Sequence, residues 1–174
     1  VDGNPNYKRW LIFDASFDYE IGTFDGSSLS TDSENYIGDM GDTYYAGQTF
    51  NNSPDGRTVI MGWLRTRKNN VFVDNNMPFN QHMSFPAKLE LRTTANGIRL
   101  FRWPVKEIKN LYHKSYEFQN IKAKTLNENL KNEIFDGIDI FMSFERSKTS
   151  SFHVNIRGQI ISYQKGNFYF NGVI

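Results

Sequence analysis

The chain contains no cysteine, which excludes disulfides and thiolate metal sites but leaves its compartment open. It has no apolar run near the ~20 residues that a membrane-spanning helix needs, so no membrane partner is expected. No signal-peptide pattern opens it either. Val1 stands in a polar stretch with Gly3, Pro5 and two asparagines, as though inside a longer chain. There is no excess of one charge sign: 20 Lys+Arg face 19 Asp+Glu, interspersed, for a net charge of +1. That removes the electrostatic footprint of a nucleic-acid partner. His82, His113 and His153 lack the close spacing of metal ligands, so no metal is expected. A Gly-rich phosphate loop, a nucleophile elbow and a catalytic-triad pattern are missing too.

What the chain does have is aromatic mass. Its 15 Phe, 9 Tyr and 3 Trp make up 16% of 174 residues, enough to fill a real core and suited to β-sheets that pack large rings between layers. Strand-like runs recur between turn dipeptides. Lys8–Phe13 and Asp18–Phe24 precede Asp25-Gly26, and Tyr44–Phe50 and Thr58–Leu64 flank a Pro54-Asp55-Gly56 turn. Ala87–Arg92 alternates leucines with charges, and Asn96-Gly97 turns the chain into Ile98–Trp103. Consecutive antiparallel hairpins of this kind build propeller blades.

Pro104 breaks the pattern. Proline suits a first helical position, and Val105, Ile108 and Leu111 follow at helical spacing, which predicts a short linker helix. In residues 120–135, Leu126, Leu130 and Ile134 permit a helix, but Asn127, Asn129 and Asn132 weaken it, and the reading is loop and short strand. Strands are then predicted over Ile138–Phe144, Ser151–Arg157, Gln159–Tyr163 and Asn167–Phe170, as the start of a β-sandwich.

Two stretches carry most of the information: Asp39–Phe50 (DMGDTYYAGQTF) and Met83–Ile108 (MSFPAKLELRTTANGIRLFRWPVKEI). Together with Met61-Gly62-Trp63, they resemble the later blades of the five-bladed propeller in glycoside hydrolase family thirty-two, the β-fructosidases (invertases, levanases, inulinases). The resemblance implies an all-β chain. Residues 1–103 would be late propeller blades, 104–118 a linker helix and 119–174 a partial β-sandwich. It also implies a secreted or periplasmic parent enzyme that acts without cofactor or metal on a fructose-containing oligo- or polysaccharide.

Cleavage with retention needs two carboxyl groups about 5–5.5 Å apart, a nucleophile and an acid/base. In the family these lie in Asn-Asp-Pro and Glu-Cys motifs, and an Arg-Asp-Pro segment binds fructosyl hydroxyls. None of the three occurs here, and a stretch like Val1–Pro5 usually follows the acid/base. No catalytic residue is therefore assigned. The resemblance instead implies pocket-lining by Trp63, as a stacking surface, by Tyr45, and by Asp39. At the position before Tyr44, where the family is usually acidic, this chain has Thr43.

Each of these residues has a plainer reading. Trp63 among Ile60, Met61 and Leu64 is equally a packed core ring, and Asp39 with Asp42 can serve turn hydrogen bonds. Tyr44 and Tyr45 point to opposite sheet faces, so only one can face a pocket. Arg65-Thr66-Arg67-Lys68 reads as a solvated loop, and 70–80 as a long polar loop. A partial propeller would expose apolar blade faces, which predicts self-association. The alternative to an enzyme fragment is a non-catalytic carbohydrate-binding or structural β-module.

Overall fold

The computed structural model describes residues 1–66, 71–143 and 151–172, in two compact units, Val1–Tyr116 and Glu117–Ile174. The chain is mostly β with little helix, and its sheets are open and antiparallel.

In the first unit, alternating sequence and tight turns make two sheets. β1 (Trp10–Phe13), β2 (Asp18–Phe24) and β3 (Leu29–Thr31) pair in that order, and β4 (Tyr36–Ile37) also pairs with β2. Asp14 closes the β1–β2 turn, its Oδ1 accepting from the Ser16 and Asp18 amides at 2.8 and 3.0 Å. Asp25 does the same for the next turn, accepting from Ser27 and Ser28. These two carboxylates hold the hairpins shut.

The second sheet runs β5 (Tyr44–Thr49), β6 (Thr58–Leu64), β8 (Ala87–Thr94) and β9 (Gly97–Pro104), with β7 (His82–Met83) paired to β6. The β8–β9 hairpin holds eight pairs in register, and Gly97 takes the φ of 90° that its turn needs. β5 bulges after Tyr45, where Ala46 adopts φ 50° and donates its amide to Ala15 O at 2.7 Å. One irregular residue thus ties the two sheets together.

Between them lies the core of Phe17, Tyr44, Ile60, Ala87 and Leu89. Phe17, fully buried at 0% exposure, comes from the β1–β2 turn, not from a strand. Its ring meets Phe13 edge-on at 5.3 Å and Tyr44 at 5.4 Å. The first residues are pinned to β8. Asp2 donates its amide to Leu91 O at 2.8 Å, and its carboxylate accepts from the Thr93 amide and hydroxyl at 2.8 and 2.6 Å. Those Thr93 bonds, the side-chain one first, lower the Asp2 pKa.

The expected linker helix starts later than predicted. Pro104 ends β9, Val105 stays extended and bonds to Pro86 O, and a 3-10 helix occupies Lys106–Leu111. Strand pairing outlasts the proline because a last edge residue needs no amide proton. Arg57 then grips Glu107 with both terminal nitrogens, at 3.1 and 2.8 Å.

The second unit departs further from the sequence reading. Residues expected to be loop and short strand form a helix, α1 (Ala123–Leu130), half-burying Leu126 and Leu130. Asn127 and Asn129 cost it only about 0.5 kcal/mol each on its exposed face, and Asn132 lies beyond its end. No strand forms over 138–143; Phe144 lies outside the described residues. Alternation alone does not make a strand without a partner, and Phe141 remains exposed. The remaining three strands do form one sheet: β10 (Phe152–Ile156), β11 (Gln159–Gln164) and β12 (Asn167–Phe170). Phe152 stacks on Tyr163 at 5.6 Å, and Phe168 closes on Tyr163 at 5.0 Å. No helix among the described residues is long and apolar enough to cross a membrane.

Candidate functional site

The two adjacent tyrosines of β5 divide between the faces of the second sheet. Tyr44, paired with Leu64, turns inward and is buried against Phe17. Its ring lies over Gly62, where an added Cβ would come within 2.3 Å of the ring's Cζ. Burial pushes the Tyr44 hydroxyl pKa up against the opposing pull of the Arg102 guanidinium, and no atom stands in good hydrogen-bond geometry to that hydroxyl.

Tyr45, paired with Trp63, turns outward. The two rings meet edge-to-face at 6.3 Å. Trp63 remains 38% exposed, with exposed Met83 opposite it on β7. The Gly-Trp dipeptide therefore has two jobs: Gly62 makes room for a core ring, and Trp63 offers a ring to the surface. Trp63 is not among the buried core residues of this unit, whereas Tyr44 is.

Asp39 sits elsewhere. Its Oδ1 accepts from the Gly41 amide at 2.9 Å, the turn hydrogen bond anticipated for this loop. Its Oδ2 pairs with the Arg102 guanidinium, which lies 4.6 Å over the Tyr44 ring and 5.0 Å over Phe17. Asp39 is thus on the inward side of the sheet with Tyr44. The structure brings Trp63 and Tyr45 together and leaves Asp39 on the opposite face.

Sequence reasoning missed Arg65. It is not a solvated residue: its guanidinium lies 3.4 Å over the Tyr45 ring, a close cation–π contact. The signal was available, since period-two alternation continued from Trp63 puts residue 65 on the same face. The rest of that basic cluster, Arg67 and Lys68, lies outside the described residues. Within the expected 70–80 loop, whose Asn70 is also outside, Val71–Asp74 form one helical turn, and Phe72 meets His82 at 5.2 Å.

Chemically, this rim is a platform. An indole and a phenol set at 67° offer an apolar surface beside polar edges, a combination common in small-molecule sites. Among the described residues no group of three His, Asp or Glu side chains could hold a metal ion. Two concavities, of about 330 Å³ beside Trp103 and about 530 Å³ beside His153, contain none of Tyr45, Trp63 and Asp39.

Comparison with known proteins identifies the family. A levanase from Bacillus subtilis (strain 168) is 26% identical over 167 residues, covering 87% of this chain and 24% of the levanase. An acid beta-fructofuranosidase from Vicia faba is 30% identical over 115 residues, 61% of this chain and 17% of that protein. A levanase from Bacillus sp. (strain L7) is 29% identical over 99 residues, 57% of this chain and 11% of that protein. The chain therefore spans about a quarter or less of the length of these relatives. Residues 12–104, which hold both sheets of the first unit almost entire, match the family described as "Glycosyl hydrolases family 32 N-terminal domain". The chain belongs to glycosyl hydrolase family 32.

Proposed function

We propose that the chain is part of a retaining β-fructosidase and furnishes one wall of its sugar pocket. The observation that carries this is the Trp63–Tyr45 ring pair, held opposite each other on β5 and β6 and open to solvent on the indole side. A fructosyl unit rests on Trp63, and Tyr45 fixes the indole's angle. Asp39 acts at one remove, holding Arg102 against the buried Tyr44 ring.

In this reading the two sheets are late blades of a five-bladed propeller, residues 104–118 are the linker, and residues 119–174 begin a β-sandwich. The four-strand order of the second sheet and the match over residues 12–104 support it. The nucleophile and acid/base that open a β-fructosidic bond in sucrose, levan or inulin belong to parts of the enzyme outside these 174 residues. The chain alone binds fructose and does not cleave. A polymer such as levan is met outside the cytoplasm, so the same reading makes the protein secreted or periplasmic. Its exposed Phe85, Phe101 and Trp103, away from the ring pair, are apolar surface for self-association.

The test is NMR of the indole resonances of the 174-residue chain, titrated with fructose, alongside a reducing-sugar assay on sucrose, levan and inulin. Fructose should shift the Trp63 indole signal, Trp63→Ala should abolish the heat of fructose binding measured by calorimetry, and no substrate should be cleaved. A silent Trp63, or fructose release that stops when one of the chain's own carboxylates is neutralised, refutes the reading.

A further inference from the structure

Tyr45 stands on the outer face of the second sheet, where a strand tyrosine has two common χ1 rotamers open to it. Here a cation holds it in one. The Arg65 guanidinium carbon lies 3.4 Å from the centre of the Tyr45 ring, and that ring meets Trp63 edge-to-face at 6.3 Å. Guanidinium, phenol and indole thus form one chain of contacts.

The backbone fixes its first member. β6 ends at Leu64, yet the Arg65 amide donates to Thr43 O at 3.0 Å. The pairing with β5 therefore continues one residue further and carries Arg65 onto the face that Trp63 occupies. Stacking holds the side chain. Among the described residues no carboxylate pairs with Arg65, and its Nε is shielded from solvent with no acceptor. Arg57 and Arg102, by contrast, are gripped by Glu107 and Asp39. A cation–π contact strengthens as the cation loses water, and a planar guanidinium can lie flat on a phenol where an ammonium cannot.

Trp63 has need of such support. It is 38% exposed, and Met83 opposite it on β7 is exposed too, so little else restrains the indole. An aromatic platform that must be ordered as its ligand arrives gives up affinity. The guanidinium also covers one face of the phenol, which leaves Trp63 as the more open ring of the pair.

We infer that Arg65 is a positioning residue, clamping Tyr45 so that Tyr45 sets the plane of the indole. Its bearing on sugar rests on the pocket reading above, whereas the clamp is measurable without sugar.

The experiment records NMR spectra of the 174-residue chain as wild type, Arg65→Lys and Arg65→Met, first alone and then titrated with fructose. Trp10 on β1 and Trp103 on β9 are the internal references. Without sugar, Arg65→Met should weaken the nuclear Overhauser contacts between the Tyr45 and Trp63 rings and shift the Trp63 indole signal, with the Trp10 and Trp103 signals unmoved. Fructose affinity should then fall about 3- to 10-fold, the worth of one cation–π contact. Arg65→Lys, which keeps the charge and loses the plane, should fall between wild type and Arg65→Met. Unchanged contacts between the two rings in Arg65→Met, or an unchanged fructose affinity in it, overturn the inference and leave the Trp63 pocket standing. Movement of all three indoles together also overturns it, by showing that Arg65 serves the whole fold. If fructose leaves wild-type Trp63 silent while Arg65→Met still loosens the ring pair, the pocket reading falls and the clamp stands.

Discussion

Replacing Gly62 by alanine tests the packing that separates the two tyrosines. The new methyl would lie 2.3 Å from Tyr44 Cζ, 2.5 Å from Cε2 and 2.7 Å from the hydroxyl oxygen. Ordinary contact begins near 3.4 Å, so the ring must retreat by about 1 Å or the strand must lift. Retreat is obstructed by Phe17, whose ring centre is 5.4 Å away and which is itself wholly buried. Overpacking of this kind costs about 1–3 kcal/mol. For a unit of this size that is roughly 5–15 °C in melting midpoint. The cost should vanish when the obstructing end of the ring is gone, because Tyr44→Leu lacks the atoms that the methyl meets. Gly62→Ala should therefore cost less than ~0.5 kcal/mol in the Tyr44→Leu background, a coupling energy of about 1–3 kcal/mol. Urea unfolding followed by tryptophan fluorescence measures it cleanly, since Trp10, Trp63 and Trp103 all lie in the Val1–Tyr116 unit. Equal costs in the two backgrounds would refute the steric account.

Two further outcomes follow from the same core. Phe17→Ala should cost about 3–5 kcal/mol, against a typical domain stability of about 5–15, whereas Trp63→Ala, losing an exposed ring, should cost under ~1; urea midpoints in the reverse order would be incompatible with Phe17 as the centre of the unit. Tyr44→Phe should change neutral-pH stability by less than about 1 kcal/mol, because no atom stands in good hydrogen-bond geometry to its hydroxyl. Burial raises the folded-state pKa of Tyr44, so its contribution is complete below the unfolded value near ~10 and is lost as pH rises through the folded value. Urea midpoints at rising alkaline pH should thus fall less steeply in Tyr44→Phe than in wild type, and identical slopes would contradict it.

The sequence disclosed some of this and concealed the rest for physical reasons. β2 and β6 form over the predicted residues, because alternation and flanking turns specify them locally. β4 and β7 were invisible: strands of two residues carry no period, and only their partners define them. Phe17 gave no hint of its place in the core, since it sits in a turn at φ 72°, a conformation unusual for a phenylalanine. In the second unit local pattern misled twice: asparagine propensity hid a helix that closes its own hydrogen bonds, and alternation suggested a strand over 138–143 that no neighbour pairs. At the rim, the motif singled out Tyr45 and Trp63, and alternation separated Tyr44 from Tyr45. Exposure of the indole, the engagement of Asp39 by Arg102, and the approach of Arg65 are long-range facts that no single stretch encodes.

The irregularity at Ala46 has a consequence for how this strand can vary. Because two residues there oppose one on β6, Tyr45 and Gln48 share a face although they are three apart, Tyr45 facing Trp63 and Gln48 facing Met61. Deleting Ala46 would set Gln48 two residues after Tyr45, the spacing at which an unbulged strand also keeps them on one face. A single lost codon could therefore straighten the strand without turning either end over, and what it would remove is the amide bonded to Ala15.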